Sequence, residues 1–233
     1  MDEKYKEKYK SYKEKYIKLK NDNEQVHLIN DQENPYIDLF PDAKNIDKSK
    51  LQMTNVGKYS ITNSNDSKKV VEFMKKNIPE DLHNLTITES NGGVGGDTIA
   101  FAKLFKKVNT VEYLPLHCSV IKNNLSVYNL TNVDIFCDNY AKKFDMLKQD
   151  VLYMDPPWGG PGYKKYKKLN LFIDRYHISD IVRKIKAKYV FIKAPYNYNL
   201  DKLEGLNYIT EKIRNYQLIF IKNWNIHFIR YFN

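Results

Sequence analysis

An α/β fold with a mainly parallel sheet, helices on both faces and an antiparallel edge is predicted by three features of the sequence. From residue 59 onward, short β-branched and aromatic runs alternate with helical stretches. The longest apolar runs, such as Leu218 to Ile221, suit buried strands and fall far short of a membrane span. Residues 218–222 and 226–231 alternate well around Asn223-Trp224-Asn225, which signals a closing hairpin.

The elements follow in order. In residues 1–20, Tyr5, Tyr9, Tyr12, Tyr16 and Leu19 share one helix face bordered by Lys and Glu. A solvated helix, a basic arm along a polyanion and a docked lid all fit that segment. Residues 21–58 are polar, with Asn34-Pro35 and Phe40-Pro41, and read as a loop-rich connector with short helical pieces. Helices are predicted over 64–76, 97–107, 116–128 and 178–186. Strands are predicted over 85–89, 110–113, 133–136, 150–154 and 189–192. Two domains follow: a basic helical arm and connector over 1–58, and the α/β unit over 59–233.

Composition narrows the partners. The 233 residues carry 38 Lys and Arg against 28 Asp and Glu, a net charge of +10. Such an excess asks for a polyanion: nucleic acid, a nucleotide or an anionic surface. Lys, Asn, Tyr and Ile all have AT-rich codons, which weakens any reading of scattered lysines. The N-terminus is charged from residue 2 and has no apolar signal region, so an intracellular protein is expected. Cys118 and Cys137 are expected as reduced core thiols. The five histidines show no ligand spacing, so no metal is expected.

In open parallel sheets the ligand sits at the carboxyl ends of the strands. After the first strand comes Glu89-Ser-Asn-Gly-Gly93-Val-Gly95-Gly-Asp-Thr98, whose glycines let backbone approach a ligand closely. No Gly-Lys-Ser/Thr follows, so this is not a nucleoside-triphosphate loop. Glu112 ends the second strand, 23 residues after Glu89, where a carboxylate can accept from both ribose hydroxyls of an adenosine cofactor. Asp138 follows the third strand and could accept from an adenine amine. S-adenosylmethionine (SAM) and a nicotinamide dinucleotide fit these three positions equally.

The fourth strand separates them. It ends in Asp155-Pro156-Pro157-Trp158-Gly159-Gly160-Pro161. Two prolines make a stiff loop and remove two backbone N–H donors from it. One carboxylate and one carbonyl beside a flat indole match an exocyclic amine on a planar base. Such an amine is a poor nucleophile, because its lone pair is delocalised into the ring. Acceptors on its hydrogens favour the out-of-plane lone pair that attacks a methyl group in line.

On these motifs the chain resembles the trimethylguanosine synthase family of RNA cap guanosine-N2 methyltransferases. The resemblance rests on Tyr59-Ser-Ile-Thr62, Glu89, Gly93-Val-Gly-Gly-Asp-Thr-Ile-Ala-Phe-Ala102, Glu112 with Pro115, Asn123-Asn-Leu-Ser-Val-Tyr128, and Asp155 through Tyr163. It runs over about residues 36–233. It implies a Rossmann-like class I SAM-dependent methyltransferase with a seven-stranded sheet. The implied cofactor is SAM, leaving S-adenosylhomocysteine, with no metal; the implied partner is 7-methylguanosine-capped RNA. The implied cofactor residues are Thr62, Glu89, Gly93, Gly95, Thr98, Glu112, Asp138 and Asp155. Asp155 and Pro156 would receive the N2 amine and Trp158 would stack on the base. Lys50, Tyr59, Asn197, Lys164 and Lys165 complete the implied substrate site. There are departures: Asp97 replaces an Asn, Asn91 stands where an apolar residue is usual, and the family's Pro-Arg-Asn reads Pro195-Tyr196-Asn197. A monomer is expected, in the nucleus or cytoplasm, or in the host cytoplasm if the source is viral. An adenine-N6 methyltransferase and a cap-binding module without catalysis are the competing readings.

Overall fold

The computed structural model describes residues 26–29 and 35–223. The expected helix over 1–20 and the expected strand over 226–231 lie outside those residues. Seven strands form one sheet in the order β3-β2-β1-β4-β7-β9-β8. They are β1 (Thr86–Glu89), β2 (Lys107–Glu112), β3 (Val133–Cys137), β4 (Val151–Met154), β7 (Tyr189–Pro195), β8 (Tyr208–Ile213) and β9 (Tyr216–Lys222). The first five pair in parallel, and β9 runs antiparallel to both β7 and β8. Two short strands, β5 (Phe172–Ile173) and β6 (Tyr176–His177), pair separately as a small hairpin.

The central strands are buried on both faces, and alternate residues serve opposite cores. Leu152, Met154, Val190 and Ile192 join one cluster with α4 (Ile178–Lys184). Val151, Tyr153, Tyr189 and Phe191 join another with α1 (Ser64–Asn77) and α2 (Gly96–Ala102). A third cluster sets α3 (Pro115–Val127) against the connector, whose Phe40, Leu51 and Met53 are buried beside Val120, Ile121 and Leu125. Aromatic edges fill the second cluster: Phe101 meets Phe105 and Tyr153 edge-on at 6.1 and 5.0 Å.

Local chemistry sets the ends of the helices. Asn63 caps α1 by accepting from the Asp66 N–H. Pro115 opens α3, where a missing N–H costs nothing. The expected helix over 97–107 stops at Ala102 because Asn132 donates to the Ala102 and Phe105 carbonyls, closing that end. The chain then enters β2 at Lys107, earlier than expected.

One strand was not expected, and one expectation is corrected. Among the described residues β9 pairs with β8 in a hairpin that turns at Arg214-Asn215, while the turn expected at 223–225 runs beyond the described residues at Trp224. Asn223 follows β9, its side chain donating to the Ala187 and Ile185 carbonyls and its N–H to the Lys188 carbonyl. The strand over 208–213 was not expected because it is an outer strand, mostly solvated along its length. The correction is that Cys118 and Cys137 are joined in a disulfide rather than free. α3 packs across β3, which sets the two Cα atoms 5.9 Å apart, within bridging distance. Among the described residues no helix is long and apolar enough to cross a membrane, and no cluster of His, Cys, Asp and Glu could hold a metal.

Candidate active site

All the strand-end positions face one edge of the sheet, where the polypeptide leaves β1, β2, β3, β4 and β7. The β1–α2 turn is glycine-rich because two of its residues sit in the left-handed region. Gly93 has φ 56° and Gly95 has φ 94°, where a side chain would be strained. A Cβ at Gly92 would come within 2.4 Å of Thr110 Oγ1, so the turn lies directly on β2.

Three carboxylates line the first half of this edge. Glu89 is buried, and its Oε2 accepts from the Thr98 and Thr110 hydroxyls at 2.5 and 3.0 Å. Burial, reinforced by the charges of Asp97 and Asp155, pushes its pKa up to about 8. Glu112 is held by backbone: its oxygens accept from Gly93 N–H at 2.7 Å and Leu114 N–H at 2.8 Å. Burial raises its pKa against those hydrogen bonds. His117 lies 3.8 Å from Glu112, but burial lowers the imidazole to about 4, so it is neutral there. Asp138 accepts from the Asn139 N–H at 2.7 Å and faces Lys143 at 3.4 Å. The Asn139 N–H, and then Lys143 and Lys142, hold its pKa below the usual carboxylate range.

A cavity of about 60 Å³ joins these groups to the rest of the site. Its walls include Ser90, Asn91, Glu112, Asp138, Pro157 and Phe172. Two expected cofactor carboxylates and the proline loop therefore share one space. Phe172 and its neighbours on the β5–β6 hairpin form a wall that sequence reasoning did not anticipate.

The second half is organised by a side chain that sequence reasoning also missed. Lys193, on β7, is only 7% exposed. Its ammonium donates to Asp155 Oδ2 at 2.8 Å and to Thr62 Oγ1 at 2.7 Å. Thr62 in turn donates to Asp97 Oδ2 at 2.6 Å; Ser67 and Tyr153 also donate to Asp97, at 2.9 and 3.1 Å. Thr62, expected at the cofactor, is thus committed to this network. Burial raises the Asp155 pKa, Lys193 pulls it down and Asp97 pushes it up, with a net upward result. Burial also works against the Lys193 charge, but Asp155 and Asp97 outweigh it and hold the ammonium above its usual pKa. The available signal was a lysine near the end of the otherwise apolar run Tyr189–Pro195.

Trp158 is half-buried and meets Tyr163 edge-on at 5.3 Å, with the Lys193 ammonium 5.9 Å from its ring centroid. Its indole N–H is buried and lies toward the Asp155 carboxylate, whose charge it favours. Gly159 and Gly160 (φ 87° and 68°) turn the chain away, with open space beside both. Asn197 braces the loop: its amide NH2 donates to the Tyr163 and Tyr166 carbonyls at 2.8 and 2.7 Å, while its Oδ1 is buried without a protein partner. Lys164 and Lys165 are exposed on the same loop, and Tyr59 is 83% exposed with Lys58 over its ring. Lys50 stands apart. It pairs with Asp47 and packs its carbonyl on Asn123, about two turns along α3 from the strand ends. Tyr196, in the position of the family arginine, donates its hydroxyl to the Arg214 carbonyl.

A family model described as RNA cap guanine-N2 methyltransferase matches residues 84–232. An uncharacterized protein of Acanthamoeba polyphaga mimivirus is 30% identical over 198 residues, covering 82% of this chain and 73% of that protein. The trimethylguanosine synthase of Schizosaccharomyces pombe is 30% identical over 112 residues, covering 45% of each chain, so the match spans less than half of that enzyme. Among solved structures, a T. thermophilus 16S rRNA N2 methyltransferase in complex with AdoMet and guanosine superposes with a TM-score of 0.56 at 14% identity, over 67% of this chain and 42% of that one.

Proposed function

We propose that this chain, which belongs to the RNA cap guanine-N2 methyltransferase family, methylates the exocyclic N2 of 7-methylguanosine in capped RNA. One transfer gives a dimethylguanosine cap; a second, with fresh cofactor, would give trimethylguanosine. The observation that carries this reading is the cavity that Glu112 and Asp138 share with Pro157, the middle of the Asp155–Trp158 loop.

The residues fit SAM. The glycine turn offers backbone without side chains, and the Glu112 and Asp138 oxygens keep lone pairs beyond those used internally. When bound, SAM supplies an electrophilic methyl group on sulfur. Glu112 would take the ribose hydroxyls and Asp138 the adenine amine. Asp155 and the Pro156 carbonyl would take the two N2 hydrogens, holding the lone pair toward the methyl group. Asp155 would also stabilise positive charge growing on nitrogen and accept the proton the amine loses. Trp158 would stack on the base. 7-Methylguanine is cationic, so that contact gains about 1–2 kcal/mol of cation–π attraction when desolvated. The exposed Lys164 and Lys165, and Tyr59 beside Lys58, would follow the triphosphate and the RNA.

Calorimetry with S-adenosylhomocysteine present tests the substrate half of this reading. 7-Methyl-GTP should bind about tenfold or more tightly than GTP. Equal affinities would remove the cap reading.

A further inference from the structure

We propose that Lys193 is the positioning residue of the amine-accepting loop. Its ammonium holds Oδ2 of Asp155 and fixes the carboxylate as an acceptor for the substrate amine. This rests on the methyl-transfer reading above.

The geometry points to it in three ways. First, a lysine this deep in a strand is costly unless paired, and a methionine would pack there without that cost. The pair is therefore weak as a stability device and calls for another role. Second, Lys193 on β7 commits two of its three N–H donors, one to Asp155 and one to Thr62 in the segment before α1. Third, the surroundings are acidic. Asp155 directly follows β4, Asp97 lies on α2, Asp66 on α1 and Glu89 on β1, with the Tyr153 and Tyr216 hydroxyl groups also facing the cluster. Burial first, and then the charge of Asp97, favour protonation of Asp155, and Lys193 is the strongest influence against it.

The chemical consequence is specific. A protonated Asp155 would offer an O–H to an amine that needs acceptors, and would stabilise no positive charge on nitrogen. Lys193 prevents this without touching the substrate. The ion pair also uses one carboxylate oxygen, so the loop cannot rotate to present either oxygen at random.

A double-mutant cycle of Lys193→Met and Asp155→Asn tests the proposal on the full chain. Alone, Lys193→Met should lower kcat with 7-methyl-GTP about 30-fold, leave SAM affinity within about threefold, and move the acid limb of the pH profile upward. In the Asp155→Asn background the same change should cost about threefold or less. Lys193→Arg should restore the position of the acid limb. A loss of the same size in both backgrounds, or an unmoved acid limb, would overturn the proposal and make Lys193 a structural partner of Thr62 and Asp97. A readout independent of substrate separates this from the functional reading. Carbon-13 NMR of the Asp155 carboxyl, assigned against Asp155→Asn, should titrate at higher pH in Lys193→Arg's charge-free counterpart, Lys193→Gln, than in the unaltered chain. Equal titration would overturn the Lys193 proposal. Absence of transfer to 7-methyl-GTP by the unaltered chain would overturn the cap reading alone.

Discussion

The two halves of the site solve the same problem by different means. On the β1–β3 side, carboxylates are held by their own neighbourhoods. Glu112 takes the N–H two residues on and that of the adjoining glycine turn, and Asp138 takes the N–H of the next residue. On the β4–β7 side, Asp155 is held by an ammonium 38 residues away, which also reaches a hydroxyl 131 residues away. The first half draws its partners from turns and adjacent strands no more than 21 residues away. The second joins elements much farther apart in the chain.

The two halves should therefore separate under mutation. Trp158→Ala has the largest expected effect, lowering kcat/KM for 7-methyl-GTP about 100-fold or more while SAM affinity stays within about threefold. Comparable loss of SAM binding would mean that Trp158, packed against both main cores, is a structural pin. Glu112→Gln should do the reverse. Calorimetry should show SAM binding weakened about 30-fold, because a buried acceptor of two N–H groups loses one of its oxygens.

The Glu89 carboxyl sharpens the comparison through pH. Its folded pKa of about 8 lies above the ordinary 4.5, so the folded state holds a proton that the unfolded chain releases. Its contribution to stability is complete below about 4.5 and is lost as pH rises through about 8. Without ligand, the melting temperature should fall between about pH 5 and about pH 8, and Glu89→Gln should flatten that slope. If SAM binds the ionised carboxylate, its affinity should rise about tenfold per pH unit over the same interval with release of a proton, read by calorimetry in buffers of different ionisation enthalpy. A pH-independent affinity would place Glu89 outside the cofactor contacts.

The smallest effect on transfer is expected at the disulfide. Cys118 and Cys137 close a loop of 19 residues, worth about 3 kcal/mol of stability. Cys118→Ser should lower the melting temperature measurably and change kcat by about twofold or less. A much larger loss of SAM affinity would show that the bridge shapes the adjoining Asp138 turn.

Legibility in the sequence follows the same division. The strand–helix alternation, the glycine turn, Glu112 and Asp138 were readable because each depends on neighbouring residues. The Asp155 loop was readable because two prolines and a tryptophan are a rare local combination. Lys193 was not, because its partners lie far off in sequence and one lysine is unremarkable in a chain with a net charge of +10. Asn197 was expected at the substrate, yet folding turns its amide onto the Tyr163 and Tyr166 carbonyls. The Phe172 wall escaped notice for a similar reason: β5 and β6 are two residues each and carry no periodicity to read. The disulfide was missed because redox habit, not geometry, guided the expectation.

The most direct test of the whole account is methyl transfer from labelled SAM to 7-methyl-GTP, GTP and single-stranded DNA side by side, with product masses recorded. Label on 7-methyl-GTP alone, with a gain of one or two methyl groups, is the predicted result. Label on DNA with none on 7-methyl-GTP would contradict it and turn the Asp155 loop toward the amine of adenine.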